Sequence, residues 1–212
     1  MAGIVKMIFN AQEHWNSIYQ SKKTHRVSWY QETPQTSLSL IAETSLAKDA
    51  KIIDVGAGDS TLVDHLLAQG FRNITVLDVS STALDKAKKR LGDKVNGVQW
   101  IVSDIRKFKT NDRYGLWHDR AVLHFLTKEQ EAQDYAKAAW QFLVPGGYLI
   151  ISAFSFQGPT RCSGLEVKHF SEDSMRKLFC EFEHLKSFEE EHLTPWGVPQ
   201  MFIHNLFRKR GD

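Results

Sequence analysis

Between residues 51 and 153, short apolar runs alternate with stretches whose apolar positions recur every three or four residues. That alternation predicts a largely parallel sheet with crossover helices. Lys51 to Val55 (KIIDV), Asn73 to Asp78 (NITVLD), Val98 to Val102 (VQWIV), Tyr114 to Asp119 and Tyr148 to Ala153 (YLIISA) are the expected strands. The intervening helices run from Thr61 to Gln69, closed by Gly70, from a cap at Ser80, Ser81 or Thr82 to about Leu91, and from Lys128 to Phe142. The turn Pro145-Gly146-Gly147 leads into the fifth strand.

Ahead of this alternation lies a polar stretch studded with the large aromatics Trp15, Tyr19, Trp29 and Tyr30. Trp15 and Tyr19 are four apart and share a face if helical. Pro34 suits the first turn of a second helix through Gln35 to Leu46, with Leu38, Ile41 and Leu46 inward. After the alternation, Ser171 to Cys180 reads as helix, and Glu183 to Glu191 and Gln200 to Phe207 as strands pairing antiparallel at the sheet edge. The expectation is one α/β domain over residues 1–212: a doubly wound, mostly parallel seven-stranded sheet with an antiparallel edge strand. A helical leader spans 1–48, a cofactor-binding core 49–155, and substrate-side strands and loops 156–212.

Composition changes this picture little. Hydrophobic residues are 42% of 212, and 27 basic side chains nearly balance 25 acidic ones, so the net charge of +2 gives no global reason to expect nucleic acid or anionic membrane as a partner. Lys86, Lys88, Lys89 and Arg90 read as one solvated helix face, and Arg208-Lys209-Arg210 as a charged tail. The start MAGIVKMIFNAQEHW lacks a basic segment followed by a continuous apolar run and cleavage site, and no apolar stretch reaches membrane-spanning length. With two cysteines, Cys162 and Cys180, in no short paired spacing, reduced thiols and a cytoplasmic location are expected. No metal is expected, because Cys162, His169, Cys180 and His184 lack zinc-site spacing.

The chemistry concentrates where the first strand ends in Asp54 and Val55 and turns through Gly56, Ala57 and Gly58 into a helix. Missing side chains let a ligand approach the backbone there. Asp78 follows at the end of the second strand, where a carboxylate can accept both ribose hydroxyls of an adenosine. A nicotinamide dinucleotide would share that acid, but its fingerprint prefers glycine where this chain has Thr61. With DVGAGDS, Asp78, Ser103-Asp104-Ile105 and LVPGGYLIIS in order, residues 50–153 resemble class I S-adenosylmethionine-dependent methyltransferases. The resemblance implies that the glycine loop (Asp54, Gly56, Ala57, Gly58) holds the methionine part of S-adenosylmethionine and that Asp78, with Val79 beside it, holds the ribose. Ser103, Asp104 and Ile105 would flank the adenine, and S-adenosylhomocysteine is the implied product. Ser60 departs from the family, which often has another glycine there.

Methyl transfer needs an acceptor held behind the methyl group, desolvated and, for some acceptors, deprotonated. Asp119 and Arg120, at the end of the fourth strand, are the leading catalytic candidates, Asp119 also facing the cofactor crevice, with His124 as a further base. HDRAVLHFL is similar to stretches of small bacterial and thiopurine-type methyltransferases. The leader resembles elements of certain protein-lysine methyltransferases, which implies that Trp15 and Trp29 help close over the cofactor. The acceptor is therefore read as a small molecule or a protein lysine, and oligomeric state is left open. The loops 158–170 and 192–202 are candidate lids, with Arg161, His169, Trp196 and Gln200 as acceptor contacts. A non-catalytic cofactor-binding module and a nicotinamide-dependent oxidoreductase stand as alternative readings.

Overall fold

The computed structural model describes residues 9–211; the apolar start read above for a targeting segment falls on residues 1–8, outside them. Five strands, β1 (Lys51–Val55), β2 (Asn73–Asp78), β3 (Val98–Val102), β4 (Tyr114–Arg120) and β5 (Leu143–Phe154), run parallel. A two-residue pair, β6 (Arg161–Cys162) and β7 (Leu165–Glu166), stands apart from them. The long strands β8 (Phe182–Leu193) and β9 (Pro199–Lys209) complete a seven-stranded sheet in the order β3-β2-β1-β4-β5-β9-β8. The reversed strand β9 is antiparallel to both β5 and β8, so the late hairpin forms that edge of the sheet.

Ile52 and Ile53 show why the apolar runs are continuous. Neighbouring strand residues face opposite sides, and both sides are covered. Ile53, Val55, Trp117, Leu149 and Ile151 pack toward α5 (Glu129–Phe142) and α6 (Glu172–Leu178). Ile52, Val76, Leu116 and Ile150 pack toward α2 (Gln35–Glu43) and α3 (Leu62–Ala68). The remaining helices are α1 (Ala11–Ser21), capped by the Asn10 side chain, and α4 (Ser81–Leu91), capped by Ser80.

Three departures from the sequence reading have local causes. The Pro145-Gly146-Gly147 turn is a wide bulge inside β5: pairing passes from Tyr114↔Leu143 to Leu116↔Tyr148, with Gly146 at φ +74°. Helix α2 stops at Glu43 because the Thr44 hydroxyl donates to the Ile41 carbonyl and Ser45 turns left-handed at φ 51°. Within the loop 158–170, Ser163 and Gly164 at φ 50° and 81° form the tight turn that joins β6 to β7.

The strand order reverses between β1 and β4, which pair in register through Val55↔Asp119. The Gly56 turn and the exit of β4 therefore open into one crevice, where doubly wound sheets bind ligands.

Candidate active site

Strand β1 leaves the sheet through Gly56 at φ +63° and Gly58 at φ +58°, left-handed conformations that favour glycine. The turn is tied to β2: Ala57 N–H donates to the Leu77 carbonyl at 3.1 Å, and Gly58 N–H to Asp78 Oδ2 at 2.8 Å. Asp78 Oδ1 accepts from Ser80 N–H at 2.7 Å, and the Asp78 carbonyl accepts from Ser103 N–H at 2.9 Å. One carboxylate thus braces the loops after β1 and β2. Burial pushes its pKa up to about 6, against the two N–H donors. Each oxygen retains acceptor capacity for a hydroxyl.

Asp78 opens onto a cleft of about 530 Å³ whose walls include Trp15, Trp29, Gly56, Val79, Ser103, Asp104 and Ile105. Asp104 caps the short turn Ile105–Lys107 and pairs with Arg106, which also reaches Glu131 at 2.9 Å. Over the glycine turn sits an aromatic roof. Trp15 meets Phe125, Trp29 and Tyr19 at ring-centroid distances of 5.1, 5.9 and 6.4 Å. A Cβ added to Gly58 would lie 2.1 Å from Tyr19 Oη, and one on Gly56 1.8 Å from Val122 Cγ2. The leader is held down by Asn16, whose Oδ1 accepts from Ser80 Oγ at 2.8 Å and Thr82 N–H at 3.2 Å.

At the other end of the cleft, Arg120 Nη1 donates to the Trp29 carbonyl at 2.9 Å, and the guanidinium lies 5.1 Å from the Phe202 ring centre. Its Nη2 is buried without a partner among the described residues, and burial pulls its pKa down to about 10. Gln200 also lines the cleft and is 8% exposed, with Oε1 unpartnered. Phe154, Phe202, Arg161, Cys162 and the β6–β7 turn complete this wall. Ala121, next to Arg120, is held at φ 79°, unusual for a residue with a Cβ, by its N–H bond to the Ser152 carbonyl at 2.8 Å.

Several expected site residues lie elsewhere. Asp119 is fully buried behind the wall: Oδ1 accepts from Val122 N–H at 2.8 Å and Oδ2 from Tyr135 Oη at 2.6 Å. The reason is strand alternation, which sends Asp119 and Arg120 to opposite faces. His124 is also outside the cleft, stacked on Phe154 at 4.3 Å and 3°. Its burial lowers the pKa to about 3, so the ring is neutral and ill-suited to act as a base. Asp54 is drawn the other way. It pairs with His118 Nδ1 at 2.7 Å, whose Nε2 meets Ser37 Oγ at 2.8 Å, and with Gly56 and Ala57 it borders a separate cavity of about 40 Å³. Gly58 turns its N–H to Asp78 and stays off the main wall. His169 bonds the Pro159 carbonyl at 3.0 Å and Trp196 is 54% exposed, both outside the cleft.

Asn16, Val122, Phe125, Arg106 and Phe202 were not singled out from sequence. For Phe202 the signal was present in QMFIHNLF, where strand alternation places Gln200, Phe202 and His204 on one face.

Residues 52–147 match the family model of the methyltransferase domain. The chain is 27% identical over 104 residues to nodulation protein S of Rhizobium tropici, covering 49% of this chain and 43% of that protein. It is 22% identical over 152 residues to the eEF1A lysine and N-terminal methyltransferase of Mus musculus, covering 68% of this chain and 22% of that protein. The matches thus span less than half the length of these curated relatives. Among solved structures, the Burkholderia thailandensis 1,6-didemethyltoxoflavin-N1-methyltransferase, with bound 1,6-didemethyltoxoflavin and S-adenosylhomocysteine, superposes with a TM-score of 0.70 at 21% identity, covering 97% of this chain and 93% of that one.

Residues 52–147 are thus similar to a methyltransferase domain, and the chain shares the fold of solved methyltransferases whose cofactor is S-adenosylmethionine. The site residues fit that cofactor. Two glycines leave the first loop without side chains, and Asp78 presents a buried carboxylate with spare acceptor capacity to the same cleft. Among the described residues, no helix is long and apolar enough to cross a membrane.

Proposed function

We propose that the protein transfers the methyl group of S-adenosylmethionine to a small-molecule acceptor, releasing S-adenosylhomocysteine. The bound cofactor supplies an electrophilic methyl on a sulfonium, open to in-line displacement by an acceptor lone pair. Gly56, Asp78, Val79, Ser103, Asp104 and Ile105 are the residues proposed to hold it, under the roof of Trp15, Tyr19 and Trp29. Asp119 is proposed as a positioning residue: it grips Val122 N–H and so fixes the turn that carries Arg120 and Ala121.

The observation that carries the small-molecule reading is the apolar lining of the acceptor end. Trp29, Phe125, Phe154, Phe202 and Cys162 wall it, and the whole cleft, cofactor end included, is about 530 Å³, within the size range of small-molecule sites. Such a wall excludes water and orients the acceptor. With Asp119 and His124 turned away, these residues contribute orientation rather than proton removal. The Burkholderia relative is itself named for a small heterocyclic acceptor.

The protein-lysine reading draws on the clustered Trp15, Tyr19, Trp29 and Phe125 rings, since ring faces attract an ammonium. Charge weighs against it. The Arg120 guanidinium stands on the Trp29 carbonyl with one nitrogen unpaired, and a second buried cation there would be repelled. Incubating the protein with methyl-labelled cofactor and a cell extract separates the readings. Label is expected in the low-mass fraction; label confined to precipitated protein would overturn the small-molecule assignment.

A further inference from the structure

Among the described residues, Arg120 is a cation without a counter-ion. The two acids whose fields reach it are Glu190 and Asp54. Glu190 is engaged by the Thr36 hydroxyl and stands 3.5 Å from His204 Nε2, while Asp54 is bonded to His118. Nη1 is satisfied by a neutral carbonyl and Nη2 by nothing. A buried charge left in this state costs stability unless something else completes it.

Arg120 borders both the main cleft and the small cavity beside the glycine loop. The guanidinium lies over Phe202 on β9, two strands beyond β4 in the sheet order, whereas Gly56 follows β1, which pairs with the other flank of β4. Gln200, two residues before Phe202, shares its strand face, and its unpartnered Oε1 needs a hydrogen-bond donor. Phe154 is paired with Phe202 in register and meets it at 4.7 Å with the rings tilted by 53°, so the guanidinium over Phe202 stands against an aromatic wall.

Building on the small-molecule reading, we infer that Arg120 and Gln200 form a specificity subsite for an acceptor that carries a carboxylate and a nearby N–H or O–H donor on a planar frame. A carboxylate matches the single guanidinium charge for charge; a phosphate dianion would bring excess charge into an apolar wall. Because Arg120 also borders the small cavity beside Gly56, the cofactor's own carboxylate is the competing source of the anion.

The test is calorimetric titration of the S-adenosylhomocysteine-saturated protein with benzoate, 2-aminobenzoate and the corresponding carboxamides. Wild type is expected to prefer each carboxylate over its amide. Arg120→Gln is expected to lose that preference by about tenfold or more while keeping its affinity for S-adenosylhomocysteine, and Gln200→Leu to lose the advantage of the 2-amino group. Equal binding of carboxylates and amides by wild type overturns the subsite and leaves the small-molecule reading standing. Failure of every probe to bind overturns it too. A fall in S-adenosylhomocysteine affinity in both Arg120→Gln and Arg120→Lys assigns the guanidinium to the cofactor instead. If Arg120→Gln does not fold, Gln200→Glu supplies an internal carboxylate beside the guanidinium. It should abolish the preference, and an unchanged preference would refute the pairing.

Discussion

At the β1 and β2 end of the cleft the polar atoms are already matched to one another, whereas at the β4 and β9 end two buried ones are not. Asp78 holds Gly58 and Ser80 through their backbone N–H groups, and Ser103 closes the same network from β3. Arg120 and Gln200 line the cleft, and among the described residues Arg120 Nη2 and Gln200 Oε1 have no protein partner. A cofactor site that receives the same molecule each time can be built from backbone and preorganised before binding. An acceptor site confers specificity by leaving groups that only the right ligand completes.

The largest effect is expected at the matched end. Gly56→Val puts a β-branched residue at φ +63°, at a cost of about 1–2 kcal/mol for the left-handed backbone. It also drives the new Cβ into Val122, adding about 1–3 kcal/mol of overpacking. Melting temperature and S-adenosylhomocysteine affinity should fall together, and a stable variant with normal affinity would break the proposed loop geometry. Asp78→Ala comes next, with an expected loss of about 1.5–3 kcal/mol in cofactor affinity by calorimetry; unchanged affinity would remove Asp78 from the ribose site.

Tyr135→Phe sharpens the contrast from behind the wall. It takes one of two donors from the buried Asp119 and should cost about 1–3 kcal/mol of stability in denaturant unfolding. Cofactor affinity should stay unchanged. A large drop in affinity at constant stability would instead put Asp119 in contact with the cofactor.

The smallest effect is on acid sensitivity. Burial lowers the folded-state pKa values of His124 and His204 from the ordinary 6.5 to about 3. Their contribution to stability is complete above 6.5 and is lost as pH falls toward about 3. Asp78 and Asp119, raised from 3.8 to about 6, act in the opposite sense, contributing stability below 3.8 that is lost as pH rises through about 6. The two sets partly cancel, so the melting temperature should fall gently as the pH drops from about 7 to about 5, and His124→Phe should make that fall shallower. An unaltered slope would show that His124 titrates normally.

The local chemistry of the core was legible. The runs KIIDV and NITVLD become β1 and β2 with the expected bounds, because a strand buried on both faces is apolar throughout, and VQWIV becomes the half-exposed edge strand β3. The glycines after β1 and the acid after β2 meet because adjacent parallel strands end side by side. The place of Asp119 was not legible, because two consecutive charges at a strand end read as one site although the strand turns them to opposite faces. His124 misled because histidine chemistry depends on burial, and no pattern in HDRAVLHFL sets its stacking on Phe154, 30 residues away.

By itself the sequence determined the alternation of strands and helices, the glycine turn after β1 and the acid that braces it, since all of these follow from short-range periodicity and backbone conformation. Tertiary structure alone decided which side chains wall the acceptor end. Trp29, Arg120, Phe154 and Gln200 come from four separated segments, and whether Arg120 finds a counter-ion rests on Glu190 and Asp54 having other partners. Such electrostatic pairing depends on distances in space, which spacing along the chain does not encode.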